Sequence, residues 1–363
     1  MSAHDQEYRD PDEVKKLVDL IHKITTRPWK IMEVCGGQTH AIAQYGIEEL
    51  LPKGIRLIHG PGCPVCVTPV YLIDMAVELA GRPEVILCSY GDMVRVPGSQ
   101  QSLLSSKASG GDVRILYSPI DALQLALKNP GKEVVFFAVG FETTAPATAL
   151  ALKMAQERGI LNFSVLMAHV QVPPILEMLL NSEDARPDAF LAPGHVCAVT
   201  GEEDYRALSE RYHVPMAVTG FEPVDLLRGI LACVNLLEHG VAMTQNMYAR
   251  VVKREGNAEA LRLIHEVFSP VNREWRGLGL VPDGGMQLRP EWAMYDAEQR
   301  FHLKEKKCAC GSSECRAGEV LRGTLSPNQC PAFGTRCTPE CPLGAPMVSS
   351  EGACAAYYRY HSH

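Results

Sequence analysis

Residues 133–159 read EVVFFAVGFETTAPATALALKMAQERG. A near-continuous apolar run, EVVFFAV, passes through Gly-Phe-Glu into TALALKMAQERG, whose apolar residues recur at i, i+3 and i+4 and whose Gly159 suits a helix C-cap. An apolar strand feeding an amphipathic helix is the repeating unit of a parallel sheet covered on both faces. Working outward, the same unit recurs: WKIMEV (29–34), IRLIH (55–59), EVILCSY (84–90), VRILYS (113–118), FSVLMAH (163–169), AFLAP (189–193) and VPMAVTG (214–220) read as further strands. YLIDMAVELAG, IDALQLALKN, ILEMLLNS and EDYRALSERY read as the helices between them, with Gly81 a second C-cap. Gly-Phe-Glu returns in PMAVTGFEPVD (215–225), again between strand and helix. This echo predicts an α/β fold of two similar doubly wound parallel-sheet lobes, at 28–132 and 133–240. Beyond residue 240 the pattern turns to helices, including AEALRLIHEVF, and then to a Gly/Pro-rich, cysteine-rich tail. A third, helical and loop domain is expected at 241–363, with residues 1–27 a helical extension packed on it.

The 363 residues are 46% apolar, enough to bury roughly three quarters of the unfolded surface without staples. A formal charge of −7, with Lys and Arg scattered, offers no basic face for nucleic acid. No apolar run reaches the ~18 residues needed to span a bilayer, and the start MSAHDQEYRDPDE is too acidic for a signal peptide. No membrane association and a cytoplasmic location are therefore expected. In a reducing compartment the 13 cysteines do not form a disulfide framework. Their distribution is uneven: Cys308, Cys310, Cys315, Cys330, Cys337, Cys341 and Cys354 all follow residue 307, which marks a separate, metal-like module.

Ligands of open α/β sheets sit at the carboxyl ends of the strands, and the polar motifs fall there: EVCGGQTH, HGPGCPVC, GFETT, PGHVC and GFEP. A cleft between the lobes would collect them. Neither GxxxxGK[ST] nor a strand-to-helix GxGxxG is present, so nothing supports nucleotide binding. Cys35 stands where a strand gives way to a helix, with Gly36 and Gly37 allowing a tight turn. The helix dipole there favours a thiolate, and Thr39 and His40 follow within about a turn, a soft sulfur beside an imidazole that suits iron or another transition metal. The alternative is a packing cysteine. Cys63 and Cys66 lie in a loop stiffened by Pro61 and Pro64, which fits a reversible disulfide, shared metal ligation or inert thiols. Glu142 and Glu222 each precede a helix and read as capping carboxylates; His195 alone reads as a satisfied loop histidine. In the tail, Cys315, Cys330, Cys337 and Cys354 are separated by 14, 6 and 16 residues. That spacing is tolerable for an iron-sulfur cluster, and a structural zinc site stays equally open.

Taken together, EVCGGQTH, GPGCPVC, GFETTAP, PGHV, TGFEP and CTPECPLGAPMVSSEGACAAYYRY resemble the HypD family of hydrogenase maturation factors, from about residue 28 to 360. The resemblance implies a two-lobed scaffold with a third domain carrying a 4Fe-4S cluster on Cys315, Cys330, Cys337 and Cys354. It implies that Cys35 ligates an iron receiving cyanide and carbon monoxide, and that Cys63 and Cys66 are a redox dithiol. The working site would also include His40, Glu142, Thr143, His195 and Glu222. Implied partners are the small protein HypC and the cyanide donor HypE, which carries a thiocyanate. Two positions depart from the family: Gln38 stands where CGGHTH is common, and Cys197 where Ser is usual. Cys308, Cys310 and Cys341 lie outside the cluster pattern. A different class, an iron-sulfur-linked thiol-disulfide oxidoreductase acting on a protein substrate, is distinguished by the absence of iron-bound cyanide and carbonyl.

Overall fold

The computed structural model describes residues 7–184, 186–305 and 314–360. Every apolar run read as a strand forms one: β1 Trp29–Glu33, β2 Ile55–His59, β3 Val85–Ser89, β4 Val113–Ile115, β5 Glu133–Gly140, β6 Phe163–His169, β7 Ala189–Pro193 and β8 Met216–Thr219. A short β9, Thr244–Asn246, follows. They build two wholly parallel sheets, ordered β2-β1-β7-β8-β9 and β4-β3-β5-β6. Strand pleating sends alternate residues to opposite faces, and each sheet feeds two cores accordingly. Phe136 and Ala138 of β5 join one cluster while Val135, Phe137 and Val139 join another. In the first sheet Ile31 and Leu191 face one core, Met32 and Phe190 the other. Both sheets are therefore covered on both faces, which is why their strands lack polar alternation.

The two lobes exist, but the strand pairing does not follow a division at residue 132/133. Strand β1 pairs with β2 on one side and with β7 on the other, and β8 and β9 extend the sheet beyond β7, so the whole second sheet, from Val85 to His169, is inserted in the chain between β2 and β7. Apolar periodicity marks a strand but not its partner. Each Gly-Phe-Glu nonetheless follows a strand of a different sheet, β5 and β8.

The N-terminal helix Pro11–Ile24 is capped by Asp10, whose side chain accepts from the Asp12 amide. It packs chiefly on the helix Pro223–Glu238 of the first lobe, sharing a core through Leu17 and Ile21, while from residues 241–363 Met247 joins the same cluster and Arg250 lies over the Tyr8 ring. The expected helical character after residue 240 also needs correction. The helix Ala258–Val267 forms, but it is followed by an antiparallel hairpin, β10 Phe268–Trp275 and β11 Gly279–Leu288. Pro270, Pro282 and a glycine pair at 284–285 mask these strands in the sequence. Trp275 and Val281 enter the first lobe's core and Phe268 and Met286 enter the second's, so the hairpin fastens the lobes together. Among the described residues, no helix is long and apolar enough to cross a membrane.

Candidate functional site

Strand β1 ends at Glu33, and Cys35, in extended conformation, is the N-cap of the helix Gly36–Gln44. The two glycines that follow are required by neighbours. A Cβ on Gly36 would lie 2.6 Å from the Glu351 carbonyl oxygen, and one on Gly37 3.1 Å from the Phe221 ring. The Cys35 sulfur is 3.4 Å from Nδ1 of His195, the second residue of the helix Gly194–Thr200 that follows β7. His195 packs against Phe221 with ring centroids 5.3 Å apart. Burial holds the His195 ring down at about 4, so it is a neutral imidazole. Burial also pushes the Cys35 thiol well up, against the Gln38 backbone N–H that favours the thiolate. Desolvation thus outweighs the helix terminus until a cation supplies the compensating charge. A thiol and a neutral imidazole at this separation form a soft donor pair for a transition metal.

The imidazole beside Cys35 is therefore His195, and His40 is placed elsewhere. His40 Nδ1 is 3.2 Å from the Ser350 carbonyl and its Nε2 3.1 Å from the Tyr360 hydroxyl. Gln38 turns into the first sheet, donating from Nε2 to the carbonyls of Ala192 (3.1 Å) and Thr219 (3.4 Å), while its buried Oε1 has no hydrogen-bond partner among the described residues.

Beneath Cys35 lies a buried polar network that the sequence reading did not anticipate. Glu33 is fully buried. Its Oε2 accepts the Cys35 N–H at 2.9 Å, and its Oε1 accepts from the Thr39 hydroxyl and from His59 Nδ1, the latter at 2.7 Å. His59 Nε2 reaches the Tyr357 hydroxyl at 3.2 Å and Glu48 Oε1 at 3.4 Å; Tyr357 donates to Glu48 Oε2 at 2.8 Å. Burial opposes a charge on His59, but the hydrogen-bonded carboxylates of Glu33 and Glu48 prevail and raise it to about 9. The available signal was a carboxylate and a histidine that close apolar strands and open EVCGG and HGPGC.

Cys63 and Cys66 are joined as a disulfide, both buried, with Cα atoms 5.2 Å apart. Cys63 is the N-cap of the one-turn helix Pro64–Val67, which Pro64 opens and which carries Cys66. Their loop is tied to the Cys35 turn: the Gly36 N–H donates to the Gly62 carbonyl at 2.8 Å, and a Cβ on Gly62 would collide with the Cys35 backbone. On its other side the Arg276 N–H donates to the Val67 carbonyl at 2.8 Å.

In the C-terminal domain Cys315, Cys330, Cys337 and Cys354 line one small apolar pocket, with Phe333 and Leu343. Burial pushes Cys354 up, and the three other cysteines push it further. Leu343 N–H points to Cys337 Sγ at 3.4 Å, and any Cβ on Gly344 would take the space of the Cys315 sulfur. Among the described residues no group of three or more His, Cys, Asp or Glu is arranged to hold a single metal ion. The fit therefore rests on donor chemistry: four thiols with no nitrogen or oxygen donor, in a dry pocket, suit a thiolate-held iron-sulfur cluster. Pro346 and Met347 line this pocket, and the same turn, Ala345–Met347, packs on the disulfide helix.

The remaining candidates are dispersed. Glu142 is buried and raised to about 7 by desolvation. It caps not the helix it precedes but the helix Val172–Leu180, accepting the Val172 N–H at 2.8 Å. Thr143 is half-buried beside it. Glu222 is the N-cap of Pro223–Glu238 and pairs with Arg9. Cys197 is a core residue of the first lobe. Cys341 is exposed and outside the four-thiol pocket, and Cys308 and Cys310 lie outside the described residues.

Residues 12–361 match a family model, HypD, described as "Hydrogenase formation hypA family". The chain is 48% identical over 363 residues to the hydrogenase maturation factor HypD of Escherichia coli (strain K12), spanning 98% of this chain and 97% of that protein. It is 47% identical over 365 residues to the HypD of Rhodobacter capsulatus, with 98% and 97% covered. A hydrogenase expression/formation protein HupD from Azotobacter chroococcum mcd 1 is 48% identical over 363 residues, with 98% and 96% covered.

Proposed function

Because the chain belongs to the HypD family of hydrogenase maturation factors, we propose that it acts in nickel-iron hydrogenase maturation as the scaffold on which an iron acquires two cyanides and one carbon monoxide. The observation that carries this reading is the part-buried Cys35–His195 pair at the strand ends, with the Cys63–Cys66 disulfide loop bonded to the same turn. Iron is the cargo: Cys35 offers it a sulfur, His195 a neutral nitrogen, and the surrounding apolar shell keeps water away. HypC would complete the coordination, and HypE would deliver cyanide as a thiocyanate in the cytoplasm.

Releasing cyanide from a thiocyanate is a two-electron reduction. With Cys63 and Cys66 as a dithiol the balance is R–S–CN plus two thiols giving R–SH, cyanide, one proton and the disulfide. Restoring the dithiol takes two electrons and two protons. Cys315, Cys330, Cys337 and Cys354 would hold a 4Fe-4S cluster, which would supply one-electron redox chemistry there. The turn Ala345–Met347, shared between the four thiols and the disulfide helix, is the direct protein connection. A thiol-disulfide oxidoreductase would use the same disulfide but gives the Cys35–His195 pair no task.

The test is infrared spectroscopy of the chain isolated anaerobically with its small partner. Bands of iron-bound cyanide and carbonyl are expected. Their absence from a complex that contains iron and reduces disulfides of other proteins would favour the oxidoreductase.

A further inference from the structure

Three hydrogen-bonded residues connect parts of the molecule far apart in the chain. Glu33 closes β1, His59 closes β2, and Tyr357 lies on the helix Ala353–Tyr360, three residues after Cys354 and one turn along the same helix. Glu33 holds the Cys35 N–H (2.9 Å) and the Thr39 hydroxyl; His59 bridges Glu33 (2.7 Å) and Tyr357 (3.2 Å). The His59 and Tyr357 rings meet edge-on, centroids 5.2 Å apart, and Glu48 closes the far end by accepting the Tyr357 O–H at 2.8 Å. Two carboxylates anchor the line: Glu33 accepts from the Cys35 N–H, the Thr39 hydroxyl and His59 Nδ1 at one end, and Glu48 accepts from Tyr357 at the other, with His59 bridging them. The same helix packs on Gly36–Gln44, the helix that Cys35 caps.

A buried carboxylate with three donors has one low-energy orientation. Moving Tyr357 therefore moves His59, and moving His59 reorients Glu33 against the Cys35 N–H. We propose that Glu33, His59 and Tyr357 form a positioning line through which the seating of the Cys354-bearing helix sets the geometry of the Cys35 turn. These are positioning residues, since none of them touches the Cys35 sulfur. The inference deepens the reading of Cys35 as the working thiol, but its test needs neither iron nor partner, so the two can fail separately.

The experiment measures the iodoacetamide alkylation rate of Cys35 in the full chain by peptide mass spectrometry, with exposed Cys341 as the internal reference. Glu33→Gln places an amide donor where two donors already converge, and Tyr357→Phe removes one hydroxyl while keeping the ring. Each is expected to accelerate Cys35 alkylation by about fivefold, the factor that the loss of one net hydrogen bond carries. The double variant is expected to match Glu33→Gln alone, because both act through one carboxylate. Cys341 and buried Cys88 should keep their wild-type rates. An unchanged Cys35 rate in Tyr357→Phe, multiplicative effects in the double variant, or equal acceleration of Cys88 would overturn the proposal. If Glu33→Gln fails to fold, Tyr357→Phe paired with His59→Gln decides by the same non-additivity.

Discussion

Cys35 is only 1% exposed, and its nearest imidazole comes from 160 residues away. Sequence proximity pointed to His40; the structure substitutes His195, because a helix starting at Gly36 carries His40 past the turn to the C-terminal segment. If the proposed scaffold role holds, His195→Ala is therefore expected to deplete the iron of the complex with the proposed small partner far more than His40→Ala, as read by metal analysis after gel filtration. Cys35→Ala removes a buried sulfur, so its stability cost should be about 1–2 kcal/mol, larger than for a surface turn, and denaturant titration measures it. A second expectation concerns His59. Its folded-state value is raised from 6.5 to about 9, so its contribution to stability is complete below pH 6.5 and is lost as pH rises through about 9. Denaturation midpoints of the wild type should fall across that window relative to His59→Gln; parallel profiles would contradict an imidazolium held by Glu33 and Glu48.

At the scale of elements, glycine contacts make the sharpest claims. A Cβ on Gly36 would sit 2.6 Å from the Glu351 carbonyl oxygen, so Gly36→Ala should lift the segment around Glu351 at a cost of about 1–3 kcal/mol. Faster hydrogen exchange across 349–360, with β1 unchanged, is the expected signature. The disulfide loop gives another test: in graded redox buffers Cys63 and Cys66 should become alkylatable together, and independent labelling would mean they are not a couple. Much at this scale was legible beforehand. The runs IRLIH, FSVLMAH and AFLAP coincide with β2, β6 and β7, since strands buried on both faces need unbroken apolar residues. The hairpin 268–288 was not legible, because its prolines and glycines break the strand signature and its ladder carries a bulge between Val271 and Arg273. Glu142 was read as a capping carboxylate, but the helix it serves was not legible, since that helix starts thirty residues later.

For the whole molecule, chain order misled where spatial order decides: the second lobe is inserted between β2 and β7, and the N-terminal helix covers the first lobe. Strand pairing across an insertion leaves no local trace in composition. EVCGGQTH, HGPGCPVC and PGHVC converge nonetheless, because the parallel strands β1, β2 and β7 of the first sheet bring their carboxyl ends to one side whatever the chain order, whereas GFETT, at the end of β5 in the other sheet, sends Glu142 to the helix Val172–Leu180. The four-thiol pocket was visible as a spacing, and Cys330→Ala is expected to remove iron and inorganic sulfide from the anaerobic protein while leaving the lobes folded; stoichiometric zinc without sulfide in the wild type would contradict the cluster. The central claim, that Cys35 holds the iron being built, is tested most directly by infrared spectra of the anaerobic complex with the small partner, wild type beside Cys35→Ala. The account predicts iron-bound cyanide and carbonyl bands in the wild type and none in Cys35→Ala despite intact four-thiol iron; the same bands in Cys35→Ala would contradict it.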